Sequence, residues 1–282
     1  MTRRFVTLAW AAAAATYLLI ILGAIVRITG SGLGCGEHWP LCNGKLLPPL
    51  DLPTMIEYGH RLAAVAVSVL VVALAAVGTM EAKTVGSGSG TGRVRASYVA
   101  VGLLALQIAL GAITVRLSLP AWTVILHLGT AMLLLAVLLL AARGPRLTPG
   151  ASPGNSVTPR LRPGLVAAAL GFVTILLGAL TANMGAAGAC TGFPLCNGSI
   201  MPEGALQHIH WTHRLLAYAL TLYLLVWAWK TRAPAARHVL YLVLVQIAVA
   251  AAMVLFALPA PLQATHVAVG AAVWAGLVLA AR

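Results

Sequence analysis

Four histidines stand at matching positions in the two halves of this 282-residue chain. They are His60 and His127 in the first half and His213 and His266 in the second. Each lies in or beside a long apolar run, where an ionisable side chain is costly and usually faces the interior of a helix bundle. We therefore expect each half to bring two imidazoles, from two different helices, into one interior space.

Two imidazoles at a similar depth indicate a particular class of metal site. Zinc usually takes three or four protein ligands, with cysteine or carboxylate among them. A haem iron takes two axial ligands, and its flat apolar ring suits the interior of a four-helix bundle. A single membrane histidine more often bonds a neighbouring helix, but four at duplicated positions favour ligation. The sequence thus predicts two bis-histidine haem sites, one in each half.

One acidic residue distinguishes the two halves. Glu57 precedes His60 by three residues, so the two side chains lie on the same face of a helix. The matching residue of the second half is His210, three residues before His213. A buried carboxylate beside a haem edge can transfer protons or stabilise a developing positive charge. The alternative is an interfacial carboxylate paired with Arg61.

The elements that must hold these residues are membrane helices. Hydrophobic residues make up 61% of the chain and charged residues only 8%, which is far more apolar than a water-soluble domain needs. A run of roughly 20 apolar residues can cross the hydrocarbon core of a bilayer. We predict an all-α integral membrane protein with spans at 5–27, 57–80, 96–116, 121–142, 163–182, 208–229, 238–258 and 261–281.

The distribution of charge predicts the orientation of these spans. With the N-terminus inside, most of the 18 basic residues fall on the cytoplasmic side, as the positive-inside rule expects. They are Arg3, Arg4, Lys83, Arg93, Arg95, Arg143, Arg146, Arg160, Arg162, Lys230, Arg232, Arg237 and Arg282. The net charge of +13 therefore indicates topology rather than nucleic-acid binding. We expect cytoplasmic termini in a bacterial-type plasma membrane, with the histidines near the outer face.

Four arginines lie at the outer ends of helices, against this bias: Arg27, Arg61, Arg116 and Arg214. Guanidinium groups match carboxylates in bidentate geometry. A haem presents two propionates at its edge, so these arginines are candidates for propionate contacts. Snorkelling towards lipid headgroups is the alternative.

Four cysteines occur as two pairs in the outer loops "GCGEHWPLCNG" and "GACTGFPLCNG". An oxidising exterior favours disulfides, so we expect Cys35 to pair with Cys42 and Cys190 with Cys196. Each bond would close a short loop above a haem site. The sequence leaves two roles open for these cysteine pairs, a structural cross-link and a redox function.

The chain contains an internal duplication. "QIALGAITVRLSLPAWTVILH" (107–127) aligns with "QIAVAAAMVLFALPAPLQATH" (246–266), with Gln, Pro and His at identical spacings. Each half has an even number of spans, so both copies enter the membrane in the same direction. We expect eight helices in two tandem, parallel-repeat four-helix bundles. The expected parts are 1–142 for the first bundle, 143–162 for a Pro/Gly/Ser-rich cytoplasmic linker and 163–282 for the second bundle, with a further linker at 86–93.

These features resemble one known family. "TGSGLGCGEHWPLCNG", "EYGHR" and the late "TH" of residues 265–266 are similar to the haem A synthase family, and the similarity runs over nearly the whole chain. The resemblance implies an eight-helix oxidoreductase that oxidises a ring methyl group of haem O to a formyl group. It implies that His60 and His127 hold the substrate haem, with Glu57 catalytic. It further implies that His213 and His266 hold a permanent haem b, whose iron passes electrons.

The resemblance also implies partners and a course of reaction. Haem O is the substrate, which haem O synthase could hand over, and the electron partner is unknown; a homo-oligomer is left open. Two successive hydroxylations would give a geminal diol that loses water, with oxygen from either water or dioxygen. Two features depart from the repeat: Ala182 stands in the place of Arg27, and the second loop is one residue shorter between its cysteines.

Three other classes of protein fit parts of the pattern. A dihaem membrane cytochrome that only relays electrons would explain the four histidines but would leave Glu57 without a task. A transporter would fit the duplication, but no corresponding spans are broken by Gly or Pro. A disulfide-forming enzyme would use the cysteines and leave the histidines idle.

Overall fold

The computed structural model describes residues 2–37, 39–46, 48–85, 91–144 and 163–281. These residues form eight α-helices and a short 3-10 helix, Ala186–Gly188, and no β-strand beyond two isolated bridges. The helices are α1 (Arg3–Ile28), α2 (Leu52–Val85), α3 (Thr91–Arg116), α4 (Ala121–Arg143), α5 (Pro163–Asn183), α6 (Ala205–Thr231), α7 (Pro234–Leu255) and α8 (Ala260–Ala280). The prediction of an all-helical chain is confirmed.

Seven of the eight helices in the described part of the chain are long and apolar enough to cross a membrane, which makes this a multi-pass membrane protein. The exception is α6. Its 27 residues span about 40 Å, so its length is sufficient. Three histidines and Arg214 in its first ten residues make its composition more polar than that of the other seven helices.

The helices α2 and α6 begin earlier than the apolar runs predict. They start at Leu52 and Ala205 rather than at residues 57 and 208. At the start of α2, Asp51 Oδ1 accepts the backbone N–H of Thr54 at 3.1 Å, and such a cap stabilises the first turn of a helix. The candidate residues His60 and His213 therefore lie in the third turn of α2 and of α6.

Helices of the same half pack against one another. In the first half α1 contacts α2 and α4, and α3 contacts the same two helices. In the second half α5 contacts α6 and α8, as does α7. Contacts between the halves involve α1, α4, α5 and α8. Among them Trp274 Nε1–H of α8 donates to the carbonyl of Met132 of α4 at 2.7 Å.

The turn between α3 and α4 is repeated between α7 and α8. Ser118 and Leu119 have φ of 58° and 63°, and Ala257 and Leu258 have φ of 58° and 61°. In each turn the N–H of the second of these residues donates to the carbonyl five residues back, at 2.9 and 2.8 Å. A proline follows, Pro120 or Pro259, and is the N-cap of the next helix. The duplicated sequence thus folds into the same connection twice.

Parts of both predicted linkers lie outside the described residues, namely 86–90 and 145–162. Within the described part, α3 already begins at Thr91, so the prediction that a linker extends to residue 93 was wrong. Polar residues can continue a helix beyond its apolar run, since they lie at the level of the headgroups. At the second linker, Arg143 still belongs to α4, and Gly144 follows with φ 69°.

Candidate functional site

The four predicted ligand histidines lie in two pairs. His60 on α2 lies near His127 on α4, and His213 on α6 lies near His266 on α8. All four side chains are partly buried, and each lies within the first nine residues of its helix. The structure therefore brings together the two histidines of each half.

Glycines on neighbouring helices leave room for three of the imidazole rings. A methyl group added at Gly111 of α3 would lie 3.2 Å from His127 Cε1. A methyl group added at Gly23 of α1 would lie 3.2 Å from His60 Cε1, and one added at Gly178 of α5 would lie 2.9 Å from His213 Cε1. Gly23 and Gly178 hold the same place in the aligned segments "LGAIVRITG" and "LGALTANMG". Glycine is needed there because any larger residue would press on the histidine ring.

The ring nitrogens of these histidines have different partners. His213 Nδ1–H donates to the backbone carbonyl of Thr174 at 3.0 Å, which fixes the ring and leaves Nε2 for another ligand. Nδ1 of His60 and Nδ1 of His127 are buried, and neither has a hydrogen-bond partner among the described residues. A buried polar atom without a partner is costly, and a neutral imidazole nitrogen is a common metal ligand. These residues fit a haem iron.

A glutamine lies against the second histidine of each pair. Gln107 Nε2 of α3 is 3.0 Å from His127 Nε2. Gln246 Nε2 of α7 is 3.0 Å from His266 Nδ1, 3.2 Å from its Nε2 and 3.0 Å from its carbonyl oxygen. The aligned repeat shows both glutamines, but their contact with the histidines was not predicted.

Glu57 is buried, with 3% of its surface exposed. Its Oε1 accepts Nη2–H of Arg61 at 2.6 Å and Nε–H at 3.2 Å. Its Oε2 accepts the backbone N–H of Cys35 at 2.8 Å. The pairing with Arg61 that the sequence allowed is therefore present. It also fixes the carboxylate one helical turn from His60.

His210 takes the matching position in the second half. It is 5% exposed, and its Nδ1–H donates to the carbonyl of Ala186 at 3.1 Å. It lies near both His213 and His266. The place of the buried carboxylate is thus taken by a third imidazole.

Both cysteine pairs are bonded in the structure. The S–S distance is 2.00 Å for Cys35–Cys42 and 1.94 Å for Cys190–Cys196. All four cysteines are buried. In each loop the second cysteine forms an isolated bridge with the residue three positions later, so the two disulfide loops fold alike.

Arg61 and Arg214 hold these disulfide loops. Arg61 Nη1 donates to the carbonyl of Leu41 at 2.9 Å. Arg214 is 6% exposed and donates to three backbone carbonyls of the second loop. These belong to Cys190 (2.9 Å), Gly192 (2.6 Å) and Leu195 (3.1 Å). The guanidinium groups of both residues are therefore engaged by the protein itself.

The other two arginines at helix ends are placed differently. Arg27 is partly buried at the end of α1, and its Nη2–H donates to Gln263 Oε1 of α8 at 3.4 Å. Arg116 is the exposed last residue of α3. Of the four candidates, Arg27 is the one whose side chain crosses from one half of the chain to the other.

Comparison with known proteins covers most of the chain. The COX15-CtaA family, described as cytochrome oxidase assembly protein, matches residues 6–54 and 52–278. The Heme A synthase of Shouchella clausii is 32% identical over 226 residues, which are 76% of this chain and 72% of that protein. That of Alkalihalophilus pseudofirmus is 31% identical over 218 residues, 74% of this chain and 70% of that protein.

A shorter similarity involves a second kind of protein. The Protoheme IX farnesyltransferase of Thermus thermophilus is 48% identical over 54 residues, which are 19% of this chain and 9% of that protein. The family match, by contrast, includes all four candidate histidines and both cysteine pairs.

Proposed function

The chain belongs to the COX15-CtaA family of cytochrome oxidase assembly proteins, and we propose that it is a haem A synthase, which oxidises a ring methyl group of haem O to a formyl group. Its relatives named Heme A synthase support a role in haem A synthesis. The observation that carries the specific proposal is the buried carboxylate of Glu57 beside one histidine pair. In the other half, His210 takes its place.

In this proposal each half holds one haem. His60 and His127 hold the substrate haem O, and His213 and His266 hold a resident haem b. The burial of these side chains in pairs supports the assignment. In the first half it is further supported by Nδ1 of His60 and Nδ1 of His127, which have no partner among the described residues. Haem b, when bound, supplies one-electron redox chemistry. The two haem-binding halves are residues 1–142 and 163–282, and residues 143–162 link them. In this proposal α6 also spans the membrane, as the eighth transmembrane helix.

The chemistry proposed for the first half needs a group that handles protons. Converting a methyl group to a formyl group with one water releases four protons and four electrons, and an external electron acceptor has to take up the electrons. A fixed carboxylate can accept a proton and stabilise positive charge that develops on the methyl carbon. Arg61 and the N–H of Cys35 hold Glu57 in position, so little reorganisation is needed when charge develops.

The proposal places both haem sites near the outer face of a bacterial-type plasma membrane. The excess of basic residues predicted on the cytoplasmic side supports this orientation. We also propose that haem O arrives from a haem O synthase. The 54-residue similarity to a Protoheme IX farnesyltransferase, which by its name acts on protohaem, supports a link between the two steps.

The test is to express the chain in cells that make haem O but no haem A. Haems are extracted from the membranes and separated by chromatography, with cells carrying an empty vector as the control. We expect haem A in the cells that express the chain and none in the cells with the empty vector. A dihaem cytochrome that only relays electrons would bind haem without producing haem A. Haem-loaded protein with haem O left unchanged would contradict the proposed function.

A further inference from the structure

Two contacts between the halves are related by the duplication, and they differ in polarity. The repeat alignments place the α1–α8 contact in correspondence with the α5–α4 contact. At the first, Tyr17 Oη–H donates to the carbonyl of Ala268 at 2.9 Å. The matching residues of the second are Phe172 and Gly129, which approach each other without a hydroxyl group. The α1–α8 contact therefore has a hydrogen bond where the α5–α4 contact is apolar.

Arg27 adds a second polar link to the α1–α8 contact. Its Nη2–H donates to Gln263 Oε1 at 3.4 Å. The amide of Gln263 is oriented by its other end, since Nε2–H donates to the carbonyl of Leu258 at 2.6 Å. In the α5–α4 contact the matching residues are Ala182 and Val124, which carry no polar side-chain atom. The polar link is thus made on one side of the molecule only.

These links lie on either side of a ligand histidine of the second half. Gln263 is three residues before His266, hence one turn away on the same face of α8, and Ala268 is two residues after it. Arg27 belongs to the first half by sequence, but its guanidinium lies against the helix turn that precedes His266.

We propose that Arg27 is a carboxylate-binding residue of the second-half site, and that it contacts a propionate of the haem held by His213 and His266. The inference rests on the proposed haem in that half. A guanidinium has five N–H donors, and a long bond to a neutral amide leaves donors for a carboxylate, its best-matched partner. The second half has Ala182 in the aligned place, and its own Arg214 is engaged by loop carbonyls. Arg27 supplies the missing cation from the other half.

The charge of Arg27 gives the inference a measurable consequence. A nearby positive charge disfavours the oxidised iron, which carries one more positive charge than the reduced iron. Removing it should lower the midpoint potential of the second-half haem. Arg27→Gln keeps an amide donor but loses the charge, and Arg27→Lys keeps the charge. If Arg27 served only in packing, Arg27→Gln and Arg27→Lys would not differ in the midpoint potential of this haem.

The experiment assigns the shift to one half. In full-length protein, His127→Ala removes a first-half ligand, so low-spin haem then reports the second half, and His266→Ala does the reverse. We expect Arg27→Gln to lower the potential in the His127→Ala background and to weaken haem retention about tenfold, the loss of one charge-assisted bond. The His266→Ala background should show no shift. Lys45→Gln, which removes an exposed outer-loop charge, is the matched control.

Several outcomes would overturn the inference. These are an unchanged potential in the His127→Ala background, a shift confined to the His266→Ala background, and an equal shift in Lys45→Gln. If a double variant does not fold, Arg27→Gln in the wild-type chain should move one of two resolved potentials, and no movement overturns the inference. Absence of low-spin haem from the wild-type protein instead overturns the proposed function, and this inference with it.

Discussion

At the scale of single residues, the two halves differ most in the group one turn from the first histidine. Glu57→Gln keeps the shape of the side chain but removes its charge. We expect haem at both sites and haem O left unconverted or stalled at a hydroxylated stage. Haem A production should fall roughly a hundredfold or more, which is typical for groups in acid–base or electrostatic catalysis. Chromatography of extracted haems measures the result.

A second acidic residue provides the control for this change. Glu37 lies exposed in the first outer loop, where its Oε1 accepts the hydroxyl of Ser118 at 3.3 Å. Glu37→Gln should leave haem A production near the wild-type level. If Glu57→Gln did the same, its carboxylate would serve only to pair with Arg61, and the catalytic role would have to be assigned elsewhere.

The second histidine pair can be tested by its spectrum. His213→Leu or His266→Leu should abolish the low-spin haem b signal, because each change leaves one axial position of the iron without a protein ligand. His208→Leu is the control, since His208 is exposed on the same helix as His213. Absorption spectra of the purified proteins, compared at equal protein content, measure the low-spin haem b signal. An unchanged low-spin spectrum in the first two variants would refute the assignment.

Residues that could ligate or react were predictable because the duplication shows them twice. The four histidines, both cysteine pairs and the substitution of Glu57 by His210 are all visible in the aligned repeats. Contacts made by neutral residues were not predicted. The approach of Gly178 to His213 and the hydrogen bond from His213 Nδ1–H to the carbonyl of Thr174 depend on how helices pack, which a repeat alone does not specify.

At the scale of the helices, the close contact between α5 and α6 gives a sharp prediction. Gly178→Ala would place a methyl group 2.9 Å from His213 Cε1, so the ring must shift. We expect a loss of about 1–3 kcal/mol in stability, as for other overpacked sites, and less haem in the second half. Thermal unfolding and haem content measure the two effects.

The control for this prediction is a glycine in open space. Gly102 of α3 has no atom within 4 Å of an added methyl group, so Gly102→Ala should keep full haem content. Equal haem content in both variants would show that Gly178 does not provide space for the ring.

The sequence predicted the existence of the helices better than it predicted where they begin and end. Apolar runs identified all eight helices, because lipid requires long apolar segments whatever the partner. Their ends were missed where a capped turn starts the helix before the predicted span, as Asp51 does ahead of Leu52, or where a turn begins early, as at Phe256. The composition of α6 reflects its site, since the residues that make it polar include His213 and Arg214.

At the scale of the whole molecule, a duplication has produced two halves with unequal interiors and unequal contacts. A repeat that only bound two haems would need no difference between its copies. Here the carboxylate lies in the first half, whereas the polar links of α1 lie against the ligand helix of the second. The two halves therefore differ in what they contribute: the first provides the buried carboxylate of Glu57, and its helix α1 also provides polar contacts to the second. Two separate, identical bundles could not differ in this way.

The orientation of the molecule can be tested at the two ends of α6. Met201, in the loop before α6, is 83% exposed, and Thr231, its last residue, is also exposed. All four native cysteines are in disulfides, so an introduced thiol is the reactive one. We expect a membrane-impermeant maleimide to label Met201→Cys in intact spheroplasts, and Thr231→Cys only after the membranes are broken. The reverse pattern would put the disulfide loops and the histidine pairs on the cytoplasmic side, where disulfides rarely persist.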